Sequence, residues 1–145
     1  MSELHEGDRK RAEDGIGGEE RRTLALVPMW ALAVAGGDQE RIGAGDARAL
    51  ARVVQESVLY RRDFVRAALA PLTEQPERVV EDHAADPRDA EAGLRAAAGI
   101  LQRVPHEDAD AFRKVIMVGV WRVVAAAGWP EEGLAALASY LGVER

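Results

Sequence analysis

The segment Thr23–Ala35, TLALVPMWALAVA, carries no charged side chain and is apolar on every side of a helical wheel. A helix of this kind has no face to turn toward water, so it belongs in the middle of a bundle rather than on its surface. It is too short for a membrane span and contains Pro28, which falls in its first two turns, where a missing N–H is best tolerated. A second apolar stretch follows late in the chain. Phe112, Val115, Ile116, Gly119 and Val123 share one helical face, and Met117, Val118, Val120, Trp121 and Val124 make most of the rest apolar too. The expectation is therefore two central apolar helices with amphipathic helices packed around them.

The surrounding segments read as those amphipathic helices. From Asp46, well placed as an N-cap, Leu50, Val53, Val54 and Val58 follow helical spacing. A short helix over Asp63–Ala70 turns Phe64, Val65, Ala68 and Leu69 inward, with Pro71 at its end. Pro76 to His83 forms another short turn or helix. Asp86-Pro87 reads as a cap with proline at the first helical position, opening a helix with the stripe Leu94, Ala97, Leu101 and Val104. Glu107, Asp108 and Asp110 open the second apolar helix, where negative charge complements the helix dipole. A last helix after Trp129-Pro130 uses Leu134, Leu137 and Leu141 and stops at Gly142. No segment alternates with the period of a strand. The fold class is all-α, a six- or seven-helix bundle over residues 21–145, preceded by a glycine-containing, charge-mixed tail over residues 1–20 that has too little apolar surface to offset its ordering entropy.

Composition narrows the function classes. The net charge of −6 argues against general nucleic-acid binding, which needs a basic face to neutralise phosphates. There are no cysteines, which excludes disulfides, thiolate nucleophiles and cysteine-ligated metal. His5, His83 and His106 stand far apart, and Ser2, Ser57 and Ser139 have no base partner in the sequence, so no catalytic constellation appears and the chain reads as non-enzymatic. Arg61, Arg62 and Arg66 have acids among them and read as a solvated face. Arg21-Arg22 before the apolar run has the look of a twin-arginine export signal, but Glu19 and Glu20 precede it; a cytoplasmic address without membrane association is expected.

The loop AGGDQERIGAGDARAL, Ala35–Leu50, is the best clue to function. Asp38, Glu40 and Asp46, with Glu131 and Glu132 if the two loops share one end of the bundle, would offer the oxygen ligands that a calcium- or magnesium-class cation prefers. The simpler account explains each acid alone. Gly36 and Gly37 stop a helix, Asp38 makes a turn, Asp46 caps, and Glu131 and Glu132 sit in a first helical turn. The simpler account is preferred on sequence.

The two apolar segments also align with each other. Trp30 falls on Trp121, Leu32 on Val123, Val34 on Ala125 and Gly37 on Gly128, and an amphipathic helix follows each. This suggests a pseudo-twofold repeat of a helical pair. The stretches ALVPMWALAVAGGDQERIGAGDARALARVV and FRKVIMVGVWRVVAAAGWPEEGLAALASYLGV resemble the TerB-like (tellurite-resistance protein B-like) helical domain family. In that resemblance Asp38 takes the place of the loop aspartate, Ile42 of the apolar residue after it, and Asp46 of the helix-opening acid. Here Gly37 precedes Asp38 and Gln39 follows it, whereas the family has glycine after the aspartate. The resemblance implies a seven-helix bundle, a cytoplasmic stress-associated role in bacteria, and acidic loop residues that bind a metal ion. A similar domain in some DnaJ-like co-chaperones implies an interaction module. A protein partner is thus expected, with self-association of the chain as the metal-free alternative.

Overall fold

The computed structural model describes residues 17–36 and 42–142. Over these the chain forms seven α-helices: α1 (Gly18–Gly36), α2 (Ala44–Glu56), α3 (Asp63–Glu74), α4 (Pro76–Ala85), α5 (Ala90–Leu101), α6 (His106–Ala127) and α7 (Glu132–Leu141), with a 3-10 turn at Val58–Arg61 between α2 and α3. No strand occurs among the described residues.

Helix α1 is the axle of the bundle. It begins at Gly18, inside the stretch that the sequence assigns to a tail, because Glu19 and Glu20 supply first-turn negative charge and the Thr23 hydroxyl donates back to the Glu19 carbonyl at 3.1 Å. It runs on through Pro28 to Gly36. Leu24, Val27, Met29, Trp30, Ala31 and Leu32 are completely buried, and α5, α7, α3, α6 and α4 all pack against it. Removing each large side chain from water contributes roughly 1.5–3 kcal/mol.

Helix α6 differs from this expectation of a second enclosed helix. Phe112, Val115, Ile116, Gly119, Val120, Val123 and Val124 are buried, against α1 and α2. Val118 and Trp121 are about half exposed on the opposite side, at 52% and 51%. The reason is tertiary: no helix of the described chain covers that side. The pairing of helices crosses over, with α7 packed on α1 and α2 packed on α6. The two apolar helices are nonetheless unequal in burial.

Local boundaries shift for identifiable reasons. Helix α2 begins at Ala44, so Asp46 is its third residue rather than its cap; it ends at Glu56, leaving Val58 outside the stripe and 75% exposed. Helix α3 continues past Pro71 to Glu74 because Leu72 is fully buried and the Thr73 hydroxyl is tied to Ala70 O and to the Tyr60 hydroxyl, 2.8 Å away. The cap of α5 is Asp89, whose carboxylate accepts from Ala92 N at 2.8 Å; Asp86 is engaged elsewhere. Gly128 takes the left-handed conformation (φ 71°) that ends α6, and Trp129 N donates to Val124 O at 3.0 Å, a Schellman closure.

Candidate functional site

Three places concentrate polar chemistry or exposed apolar surface. The first is the pole where α1 ends. The N-terminal turn of α7 sits directly on it: a β-carbon at Gly133 would stand 2.4 Å from the carbonyl oxygen of Val34 and 2.6 Å from that of Ala35. The Trp129 ring lies over Gly36, with the corresponding distance 3.2 Å. Glu131 and Glu132 therefore stand at the end of the bundle where the chain leaves α1 for residues 37–41. Both are exposed. Asp38 and Glu40 lie outside the described residues.

Asp46 has a local task. Its carboxylate accepts from Gly43 N at 3.1 Å, half of a capping box, while Ile42 beside it is buried. Among the described residues no group of three or more His, Asp or Glu is placed to hold a metal ion, so Asp46, Glu131 and Glu132 form no such group by themselves.

The second place is a polar anchor that the sequence does not announce. Asp86, its side chain only 5% exposed, holds Arg88 in a fork: Oδ1 accepts from Arg88 N at 2.9 Å and Nε at 3.0 Å, and Oδ2 from Nη2 at 2.9 Å. Arg88 Nη1 reaches the Thr23 hydroxyl at 3.1 Å, and its guanidinium carbon lies 4.9 Å from the centroid of the Trp30 ring. The α4–α5 connection is thereby pinned to the axle. The Arg88 hydrogen bonds hold the Asp86 carboxyl at about 2, well below its ordinary range, and Arg22 adds to this from a distance. His83, one turn earlier, has its pKa lowered by burial, opposed in part by the negative charge of Asp86. Only the Asp86–Arg88 spacing was available as a signal, and Asp-Pro obscured it. Beside this anchor a cleft of about 560 Å³ opens between α1, α3 and α4, with Leu26 and Val79 in its floor and Arg22, Glu74 and Asp82 among its lining groups.

The third place is the outer face of α6. Trp121 and Val118, three residues apart, stand out on it, flanked by exposed Lys114, Arg122 and Ala125 and by half-buried Met117. Lys114 pairs with Asp110 at 3.1 Å and lowers its pKa. A half-exposed indole beside aliphatic carbons has the composition of an interface centre, where tryptophan and arginine are enriched.

Fold and surface together define a helical bundle with an unpartnered apolar helix face. No protein-family model, curated protein or solved structure matches the chain. No helix among the described residues is long and apolar enough to cross a membrane.

Proposed function

We propose that this chain is a non-enzymatic helical binding or adaptor module of the TerB-like kind, acting in a bacterial stress response and engaging a protein partner through the outer face of α6. The observation that carries the binding reading is the half exposure of Trp121 and Val118 on a helix whose other face is sealed. A contiguous exposed apolar patch with a polar rim is the kind of surface that protein partners cover. The resemblance of Ala25–Val54 and Phe112–Val143 to the TerB-like domain supplies the family and the stress-related setting.

The chain has no cysteine, so Val118→Cys gives a unique attachment point. A benzophenone placed there crosslinks a discrete partner in native cell extract, whereas the same label at Arg95→Cys on α5 does not. Equal yields from both positions would remove the reading.

The contact of Gly133 with Val34 and Ala35 favours a second one, a divalent cation of the calcium or magnesium class at the α1 pole. Asp38 and Glu40 would supply ligands with Glu131 and Glu132, and Asp46 through the shared loop. Titration calorimetry with each cation gives a saturable signal that Asp38→Ala abolishes. A signal unchanged in that variant, or none in the parent, discards the ion.

A further inference from the structure

We infer that the outer face of α6 pairs with the same face of a second copy of this chain, the two helices running antiparallel. This rests on the reading of α6 as the binding face and names what covers it. Along that face the outward residues run Glu107, Asp110, Lys114, Val118, Trp121 and Ala125, with Arg122 alongside. Steps of three and four residues keep them on one strip, which spans roughly 27 Å at 1.5 Å per residue. Its first end carries Glu107 and Asp110. Its far end is apolar and carries Arg122, which has no ion-pair partner among the described residues.

The order of charge selects the occupant. Glu107 pairs with Arg62 at 3.7 Å and Asp110 with Lys114 at 3.1 Å, so the first end carries balanced pairs and Arg122 is the charge left to be matched, which a purely basic partner cannot do. The same strip laid parallel on its copy sets acid on acid and Lys114 on Lys114, which is unfavourable at contact range. Turned end for end, it satisfies both signs. Each Trp121 then lies near the Lys114 of the other copy, where an ammonium over an indole is attractive. Val118 meets the Met117–Val118 turn, and the acidic first turn of each helix moves toward the Arg122 end of the other. The helix dipoles are opposed as well, which adds in the same direction. One helix face is smaller than the ~800 Å² per partner of a standard interface, so the dimer is weak and depends on concentration.

Sedimentation equilibrium of the full chain from about 10 µM to 1 mM, a range that brackets weak association, is the test. Wild type passes from monomer to dimer, and Trp121→Asp weakens association at least about tenfold, as expected for an interface anchor, with an unchanged helical circular dichroism spectrum. Asp110→Arg and Arg122→Glu each weaken it further, while an equimolar mixture of the two associates more tightly than either alone. A wild-type chain monomeric throughout, or a mixture no tighter than its components, overturns the antiparallel pairing. The crosslinking from Val118→Cys separates the two levels: an adduct with another protein alone keeps the binding face and ends self-pairing, and no adduct above the Arg95→Cys control ends both.

Discussion

A β-carbon built on Gly93 would stand 2.4 Å from the indole of Trp30, the largest fully buried side chain among the described residues. Trp30 has no room to withdraw, because it is wholly enclosed and Arg88 lies over its ring. Gly93→Ala is expected to cost about 2–3 kcal/mol, at the upper end for an overpacked core. Gly119→Ala crowds a single atom, the terminal methyl of the buried Leu50 side chain at 2.7 Å, with Val54 at an ordinary 3.7 Å. A rotamer shift of that one flexible side chain relieves the clash. There the gain in helix propensity, about 1 kcal/mol, offsets the crowding, and stability stays nearly unchanged. Urea unfolding of the two variants reads the difference.

At Gly133 the obstacle is backbone rather than side chain. The Val34 and Ala35 carbonyl oxygens cannot rotate aside, so Gly133→Ala forces the start of α7 off the end of α1. A loss of about 2 kcal/mol or more is expected on the overpacking scale. Amide hydrogen exchange locates it: α7 opens faster, while α2–α4 keep their protection.

Acid acts on the anchor in two stages. The His83 pKa is lowered in the folded protein, so its contribution is complete above the unfolded value near 6.5 and declines as pH falls through the folded value. Asp86 behaves likewise lower down: its contribution is complete above about 3.8 and is lost as pH falls toward about 2. That second stage is worth of the order of 2 kcal/mol. Stability measured against pH shows both declines; His83→Gln removes the upper one. Asp86→Asn removes the lower one and destabilises at neutral pH by leaving Arg88 without its carboxylate.

The two tryptophans that fall on each other when the apolar segments are aligned behave oppositely. Trp30→Ala costs about 3–5 kcal/mol, as large core truncations do. Trp121→Ser on the α6 surface stays within about 0.5 kcal/mol in the dilute monomer. Iodide quenching of Trp30→Phe and Trp121→Phe shows that the accessible emission belongs largely to Trp121.

Capping by Asp46 is separable from ion binding. Asp46→Ala loses the bond to Gly43 N and is expected to cost about 0.5–1.5 kcal/mol, the net worth of one hydrogen bond, whereas Asp46→Asn retains most of it. Thermal unfolding in chelator-treated buffer measures this without any cation present.

Helix spacing was legible where one face alone is buried. Leu94, Ala97, Leu101 and Val104 all lie in the core as their periodicity requires, and Leu134, Leu137 and Leu141 do the same. The enclosure of α1 followed from a segment with no polar face. Trp121 was not legible, because α6 is apolar nearly all round and only its neighbours decide which side stays open. Asp86 reads as a cap because Asp-Pro is a strong local signal, whereas its setting in the fold includes Thr23, 65 residues from Arg88 in sequence. Pro71 reads as a stop in isolation; burial of Leu72 overrides it. Of the candidate ion ligands, Asp46 is a helix-start group at the third position rather than the first. Glu131 and Glu132 stand by the end of α1 because Gly133 packs on Val34 and Ala35, and Asp38 and Glu40 lie outside the described residues.

The axle α1 precedes in sequence every described helix that encloses it, and two of its principal neighbours, α5 and α7, come late. During synthesis it leaves the ribosome ahead of every described helix that packs on it. The bundle cannot close until the translated chain has reached α7, so its assembly is governed by contacts between distant parts of the polypeptide.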